Sequence, residues 1–176
     1  MTTCYLGLGS NLRSPKRQLR MSIKHIRSLP RTAISKISTI YLSEPWGIHA
    51  QPLYCNMVIE IKTSLHPLKL LDYCKRIERK MHRQPNLRYG ARILDIDILL
   101  YAQMTFNHRQ LIIPHPSMNT RDFVLIPLLE ISPKLELPNK ASLSDSLANC
   151  QRFIRYPKRN LVGESSVKNH SHNGHL

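Results

Sequence analysis

A chain of 176 residues, 41% of them hydrophobic, is long enough for one globular domain with a sizeable core. No apolar stretch reaches the length of a membrane span and the N-terminus lacks the pattern of a signal peptide, which disfavours both a membrane protein and an exported one. The formal net charge of +15 either attracts polyanions, such as nucleotides and nucleic acids, or forms a solvated coat without a partner.

The first half of the chain carries the patterns of three strands and one helix. Ser14 followed by Pro15 is a typical helix start, and apolar residues at helical spacing continue to about Leu29. Two prolines and a glycine in SEPWGIHAQP predict a loop. In order, we predict a strand over residues 3–8, a helix over 15–29, a strand over 33–42, a loop over 43–52 and a strand over 53–63 that pairs antiparallel with the one before.

The second half adds a helix, a strand and several shorter elements. An apolar stripe of Leu70, Cys74, Ile77 and Met81 predicts a helix that begins after Ser64. A basic, irregular segment then leads into a strand, and LIIPHP and a short helix in RDFVLIPLLEI follow. The order strand, helix, strand, strand, helix, strand predicts an α+β fold of the ferredoxin-like split βαβ type with C-terminal additions.

Composition also predicts the boundaries and the compartment. The chain becomes polar from about residue 158 and ends in NHSHNGHL, so we predict a domain over residues 1–157 and a disordered tail over 158–176. The four cysteines fall in no metal-binding spacing. Without an export signal they are expected as free thiols in or near the core of a cytoplasmic protein.

The last of the predicted strands carries two carboxylates in the most apolar segment of the chain. Side chains two apart in a strand share a face, so Asp95 and Asp97 point together while Ile96 and Ile98 point into the core. Neighbouring carboxylates repel unless a cation neutralises them, and their oxygens suit Mg²⁺ that arrives with a polyphosphate. The alternative is a solvent-facing strand side with Arg92 as an ion-pair partner.

A run of cations precedes the acidic pair, and no acid lies within it. Its members are Arg79, Lys80, Arg83, Arg88 and Arg92. Guanidinium groups bind phosphate oxygens in bidentate fashion, so cations beside a metal-binding carboxylate pair favour phosphoryl transfer. The alternative is a helix C-terminus whose cations favour the helix dipole, which explains Arg79 and Lys80 but not Arg88 and Arg92.

Four motifs in order carry a resemblance to a known family. RYGARILDIDIL, LGSNL near the N-terminus, SEPWG with QPLYCN, and IPHPSMNTRDFVLIPLLEISP together resemble the 6-hydroxymethyl-7,8-dihydropterin pyrophosphokinases. The resemblance covers roughly residues 4 to 140. It implies a ferredoxin-like fold and transfer of pyrophosphate from ATP to the hydroxymethyl group of 6-hydroxymethyl-7,8-dihydropterin, with release of AMP, in folate biosynthesis.

The resemblance also implies roles for individual residues. Asp95 and Asp97 would hold two Mg²⁺ ions brought with ATP, and the catalytic group would comprise them with His82, Arg83 and Arg92. The residues that would bind the pterin are Ser43, Pro45, Trp46, Tyr54, Asn56 and Phe123. The residues that would bind ATP are Glu78, Arg88, Tyr89, Arg92, Ile98, His115 and Arg121. We expect a monomer that binds neither nucleic acid nor membrane.

The chain departs from the family pattern after the second helix. The family usually has Gly-Arg-x-Arg where this chain has Met81, His82, Arg83 and Gln84. His82 then stands in the place of an arginine that is normally catalytic, and either Arg83 substitutes for it after a local shift or the rate is reduced. We expect the loops over 43–52 and 82–92 to close over the substrates.

Two rival functions stay open at this point. A ferredoxin-like sheet with positive charge also suits an RNA-binding module, although this chain has only 1 Trp, 7 Tyr and 3 Phe to stack on bases. A Mg²⁺ nuclease or another phosphotransferase would use the same acidic pair but leaves the pterin-binding motifs unexplained. Singly, Tyr54 also fits a core aromatic, Phe123 a helix anchor and His115 an exposed loop residue.

Overall fold

A computed structural model describes residues 1–46, 50–81, 90–138 and 142–155. Five strands form the main sheet, two more form a hairpin, and four α-helices and one 3-10 turn complete the described part. The strands are β1 (Thr2–Ser10), β2 (Thr32–Ile37), β3 (Tyr41–Ser43), β4 (Tyr54–Thr63), β5 (Asp95–Tyr101), β6 (Phe106–His108) and β7 (Leu111–Ile113). The helices are α1 (Pro15–Arg27), α2 (Pro67–Lys80), α3 (Asp122–Ile131) and α4 (Leu143–Asn149), with a 3-10 turn at Met118–Thr120.

The main sheet is antiparallel throughout, in the order β2-β4-β1-β5, and β3 also pairs with β4. The central strand β1 therefore has a partner on each side. Leu6, for example, lies opposite Ile59 of β4 and Ile98 of β5. Mixed helices and an antiparallel sheet confirm the predicted α+β class.

Helices cover the two faces of the sheet separately. Leu19 and Ile26 of α1 and Leu70 of α2 pack with Leu6 and Ile96 in one buried cluster, on one face. On the other face, α3 and α4 pack over a second cluster formed by Tyr5, Val58, Leu99 and Leu100 of the strands. Because side chains alternate along a strand, β1, β4 and β5 each contribute to both clusters. No helix in these ranges is both long and apolar enough to cross a membrane.

The predicted strand over 33–42 is wrong as a single element. It divides into β2 and β3, and Ser38 lies at the division. The backbone N–H of Ser38 donates to the carbonyl of Val58 at 2.9 Å, and the Ser38 hydroxyl accepts from the N–H of Val58 at 2.9 Å. A side chain thus completes the ladder where the strand bends. Ser43 consequently belongs to β3, and the predicted loop begins one residue later.

Short elements beyond β5 escaped the sequence pattern. The β6–β7 hairpin has strands of three residues each, which is too short for alternation to be recognised. Helix α4 has only seven residues. The boundary at residue 157 and the disordered tail remain predictions, because residues 156–176 lie outside the described ranges.

Candidate active site

Three neighbouring strands present site residues on the face opposite α1 and α2. In the register of the sheet, Gly9 of β1 lies between Asn56 of β4 and Asp95 of β5, and Gly7 lies opposite Asp97. Alternation places these five residues on one face. The sheet thereby brings an amide and two carboxylates together, although they are far apart in the sequence.

The two glycines of β1 form the floor between those side chains. A Cβ on Gly9 would lie 3.3 Å from Oδ1 of Asn56 and 3.9 Å from the ring of Tyr54, and a Cβ on Gly7 would lie 3.3 Å from Leu99. Neither glycine has a left-handed backbone, so the close approach of neighbouring side chains rather than backbone conformation favours glycine at both positions. Their missing side chains leave room above the sheet.

A cavity of about 280 Å³ occupies that room. Ten of the predicted site residues line it: Ser43, Trp46, Tyr54, Asn56, Arg92, Asp95, Asp97, His115, Arg121 and Phe123. A second cavity of about 260 Å³ shares Lys75, Asp97 and His115 with the first, and Ile98 lines it. Asp97 and His115 thus lie where the two cavities meet.

The remaining predicted site residues lie elsewhere. Pro45 is buried and lines neither cavity. Glu78 is 1% exposed and also lines neither. The predicted residues His82, Arg83, Arg88 and Tyr89 lie outside the described ranges, so their roles remain predictions.

Aromatic and amide groups line one side of the first cavity. The Asn56 amide donates to the hydroxyl of Ser43 at 2.8 Å, and both residues are buried. The Tyr54 hydroxyl donates to the carbonyl of Gly90 at 3.1 Å, which leaves the ring at the cavity wall. Phe123 forms another part of the wall. This side suits a flat heterocycle with polar groups on its edge.

The guanidinium of Arg121 lies at the same wall. Its carbon is 4.4 Å from the centre of the Trp46 ring system and 5.9 Å from that of Phe123. Both distances fall within the range of cation–π attraction. Arg121 therefore holds a positive charge directly beside the aromatic side of the cavity.

The carboxylates form the opposite side. The Nη1 atom of Arg92 lies 3.1 Å from Oδ1 of Asp95, so the ion pair named in the alternative interpretation is present at one of the two carboxylates. The side chain of Asp97 makes no hydrogen bond or ion pair within residues 1–46, 50–81, 90–138 and 142–155. Side chains two apart in a strand start about 7 Å apart, so a cation between the two carboxylates would contact both.

His115 faces Asp97 with a neutral ring. Its Nδ1 accepts a hydrogen bond from the N–H of Ser117 at 3.2 Å, which puts the proton of the neutral ring on Nε2. Burial lowers the pKa of His115, the nearby Arg121 lowers it further, and Asp97 opposes both. At neutral pH the ring is therefore uncharged and offers one N–H donor.

Glu78 joins α2 to β5 below the cavities. Its Oε1 accepts from the backbone N–H of Ile96 at 2.8 Å, and its Oε2 lies 3.1 Å from Nζ of Lys75. Lys75 itself lines both cavities. The sequence analysis missed Lys75, and the available signal was its position one helical turn before Glu78.

Asn11 is the second residue that the sequence analysis missed. It is 2% exposed, and its Oδ1 accepts from the backbone N–H of Arg92 at 2.7 Å while its own N–H donates to the Arg92 carbonyl at 3.0 Å. Its amide nitrogen also donates to the carbonyl of Pro52 at 3.2 Å. Asn11 thereby fixes the backbone on which Arg92 stands. Its place in the LGSNL motif was the signal.

The donor set for a metal is a pair rather than a trio. Among the residues that the structure describes, no three His, Cys, Asp or Glu side chains are grouped so as to hold a metal ion. Two carboxylates on one face suit a hard cation such as Mg²⁺ when phosphate oxygens and water complete its shell. The residues present fit a metal that enters with a polyphosphate.

Carboxylates, guanidinium groups and a ring-sized cavity in one place are the parts of an enzyme that transfers phosphoryl groups. A family model described as 7,8-dihydro-6-hydroxymethylpterin-pyrophosphokinase (HPPK) matches residues 5–133. The 2-amino-4-hydroxy-6-hydroxymethyldihydropteridine pyrophosphokinase of Haemophilus influenzae is 44% identical over 145 residues, 82% of this chain and 91% of that protein. The protein of the same name from Pseudomonas aeruginosa is 40% identical over 146 residues, 83% of this chain and 90% of that protein.

Solved structures agree on the fold. A crystal structure of Plasmodium falciparum HPPK-DHPS with pteroate matches 84% of this chain with a TM-score of 0.67 at 15% identity, and this chain spans 42% of that longer one. The chain belongs to the HPPK family. It transfers pyrophosphate from ATP to the hydroxymethyl group of 6-hydroxymethyl-7,8-dihydropterin, releasing AMP, in folate biosynthesis. The expectation from the sequence motifs is confirmed.

Proposed function

We propose that the first cavity is where the pterin and the reacting phosphates of ATP meet. The observation that carries this proposal is the register of three strands, which puts Asn56 and Asp95 on either side of Gly9. An acceptor held on the Asn56 side has its hydroxymethyl group directed along the glycine floor. The carboxylates then hold the phosphate side.

The pterin ring stacks between Tyr54 and Phe123. Asn56 and Ser43 serve its polar edge, with the Asn56–Ser43 hydrogen bond keeping the amide in one orientation. The segment at Pro45 and Trp46 closes over the ring. Stacking of a flat heterocycle on aromatic rings supports this assignment, because both rings line the same cavity.

The ATP side begins at the acidic pair. Asp95 and Asp97 hold two Mg²⁺ ions that arrive with ATP; when bound, these ions neutralise negative charge on the phosphates. Arg92 and Arg121 bind phosphate oxygens, and the Nε2–H of His115 donates to one of them. Glu78 and Ile98 belong to the nucleotide side, where Glu78 supports β5 from below. His82, Arg83, Arg88 and Tyr89 complete the set.

The reaction needs positioning more than a strong base. The hydroxymethyl oxygen attacks the β-phosphorus in line, the bond from the β-phosphorus to the oxygen of AMP breaks, and the hydroxyl proton leaves to solvent or to a phosphate oxygen. Arg92 and Arg121 stabilise charge on the transferring group from fixed positions. The bonds of Asn11 to the Arg92 backbone support such a position.

We also infer a ferredoxin-like sheet. The six main elements follow one another as strand, helix, strand, strand, helix, strand when β2 and β3 count as one interrupted strand. The antiparallel order β2-β4-β1-β5, with both helices of the repeat on one face, supports this topology.

We further propose that the protein is a cytoplasmic monomer and binds no nucleic acid. The four cysteines are free thiols, which suits a reducing compartment. The exposed large hydrophobic side chains of the described residues occur one per element or loop, which supports a monomer. Carboxylates at the open part of the sheet would repel a nucleic-acid backbone.

The test is the rate of AMP release from MgATP at varied pterin concentration, with Phe123→Ala and Phe106→Ala compared. Phe106 lies on β6 and lines neither cavity. We expect Phe123→Ala to raise the pterin KM about ten-fold, since an aromatic stack is removed. Phe106→Ala should leave the pterin KM at the wild-type value. Equal pterin KM values in both variants would refute the assignment of the pterin side.

A further inference from the structure

A C-terminal strap, defined as residues 151–155, runs along the outer edge of β3. Ser43 forms an antiparallel bridge with Ile154, and the backbone N–H of Glu44 donates to the carbonyl of Phe153 at 2.9 Å. Strand β3 therefore lies between β4 on one side and the strap on the other. A three-residue strand is held from both sides.

A buried carboxylate fastens the strap to the start of α3. Asp122 is 0% exposed, and its Oδ2 accepts from the backbone N–H groups of Phe153 at 2.9 Å and Ile154 at 3.0 Å. The other oxygen, Oδ1, has no hydrogen-bond partner among the residues described. Burying a carboxylate is costly in free energy. The hydrogen bonds from these two backbone N–H groups and the position in the first turn of α3 stabilise it there.

The strap contacts the pterin side of the cavity from behind. The Phe153 ring meets the Phe123 ring edge-on, with centres 5.8 Å apart and planes at 77°. Phe153 does not line the cavity, whereas Phe123 does. Ser43, which the strap pairs with, accepts the hydrogen bond from the amide of Asn56. The strap thus contacts both Phe123, in the aromatic wall of the cavity, and Ser43, which holds the amide of Asn56.

We propose that Asp122 is a positioning residue for the pterin substrate. Its carboxylate holds the strap, and the strap holds the Phe123 ring and Ser43 in the arrangement that accepts a flat heterocycle. This inference rests on the proposed pterin side of the cavity. It predicts that loosening the strap affects pterin binding more than MgATP binding. Phe123 and Ser43 both contact the strap, whereas among the described residues assigned to the phosphates it is Arg121 that forms a bridge with it, to Gln151.

The experiment compares Asp122→Ala, Asp122→Asn and Asp145→Ala. Asp145 is a matched control, since it is also an acid in the first turn of a helix and lines neither cavity. We measure KM for pterin, KM for MgATP and kcat at a temperature well below the Tm of each variant. Asp122→Ala should raise the pterin KM about ten-fold, with a smaller rise of at most about three-fold for MgATP through the bridge between Gln151 and Arg121.

The conservative variant and a ring variant sharpen the result. Asp122→Asn keeps an acceptor oxygen for the two amides and should restore the pterin KM to within about three-fold of wild type. Phe153→Leu keeps apolar volume without the ring edge and should raise the pterin KM about three-fold. It also serves as the test if Asp122→Ala does not fold. Asp145→Ala should behave as wild type.

Two results would overturn the inference. One is an unchanged pterin KM in folded Asp122→Ala and Phe153→Leu while Phe123→Ala raises it. That result would support the assigned pterin side and refute a role of the strap in pterin binding. The other is an equal rise in both KM values, which indicates a general structural loss. An unchanged pterin KM in Phe123→Ala itself would refute the assigned pterin side, and the two failures are thereby distinguishable.

Discussion

The two faces of β1, β4 and β5 carry different side chains where the site lies. On the face toward α1 and α2, Leu6 and Ile96 are fully buried in an apolar cluster. On the other face, one residue further along each strand, Gly7 and Asp97 line an open cavity. A period of two lets a rigid, closed core and a polar site share one backbone. The core thereby supplies the rigidity that the site needs.

Helix α3 covers only one part of the second face, and the cavity lies over the other part. Helix α3 closes the part around Val58 and Leu99, and there the carboxylate of Glu60 receives hydrogen bonds from Tyr5 and Ser35. At the open part, the Asp97 carboxylate has no hydrogen-bond partner among the residues described. A carboxylate under a helix is satisfied by the protein, whereas one in the cavity is available to a ligand.

The largest effect is expected at the open carboxylate. Asp97→Ala should lower kcat for pterin-dependent AMP release about 10³-fold, because charge on the phosphates is no longer neutralised. The Tm should change little, since the Asp97 carboxylate forms no hydrogen bond or ion pair with a described residue. Asp145→Ala is the control, and AMP release at the wild-type rate in Asp97→Ala would contradict the proposed role of the pair.

On the closed face the effect should be on folding. Leu6→Ala removes a fully buried side chain and should lower the free energy of unfolding by about 2–5 kcal/mol in urea titrations. The KM values of the protein that remains folded should match wild type. Leu42→Ala, at a side chain that is 39% exposed, is the control. A Leu6 effect on KM without loss of stability would break the separation of the faces.

Substitutions at the two glycines should change the pterin KM rather than the stability, the opposite of Leu6→Ala, and by a smaller amount. Gly9→Ala places a Cβ 3.3 Å from Oδ1 of Asn56, so the pterin KM should rise about ten-fold. Stability should change little, because the restriction of the unfolded chain by alanine offsets the small shift that the Cβ demands of Asn56. Gly7→Ala meets only the side chain of Leu99 and should have the weaker effect. A larger rise in the pterin KM for Gly7→Ala than for Gly9→Ala would contradict the proposed position of the pterin ring beside Asn56.

The smallest effect concerns the closed carboxylate of Glu60 and appears only in acid. Burial opposes its ionisation, but hydrogen bonds from Ser35 and Tyr5 and the charge of Lys36 outweigh burial, so the pKa of Glu60 is lowered. The folded state thus binds this proton less readily than the unfolded state. The resulting stability is present above the ordinary pKa of glutamate and is lost as pH falls through the lowered value.

Urea titrations of wild type and Glu60→Gln from pH 7 down to pH 3 measure this contribution. Stability of wild type should fall more steeply below about pH 4.5 than that of Glu60→Gln. Identical slopes in the two proteins would show that Glu60 does not contribute to acid unfolding.

Local pattern predicted much of the fold and the site. The main helices and strands follow from periodicity, proline and apolar stripes, with β2 and β3 merged in error. Alternation within DIDIL was enough to place Asp95 and Asp97 on one face. Tyr54, Asn56 and Phe123 needed the family motifs, because a strand aromatic or a helix phenylalanine has no functional pattern of its own.

Other features depended on contacts between distant segments. Asn11 meets Arg92 across 81 positions, and Asp122 meets Phe153 across 31. Ser38 completes the ladder of Val58 from a position that reads as ordinary strand. None of these bonds leaves a periodic trace, so no local pattern indicates them.

The sequence by itself determined the main helices and strands, the face on which the acidic pair lies and the family. These follow from interactions a few residues apart and from ordered motifs. Only the tertiary structure decided which residues meet: the glycines as floor, Arg121 against Trp46, and the strap behind Phe123. Those contacts depend on the register between strands and on segments that are distant in the sequence coming together. Local sequence patterns indicate neither.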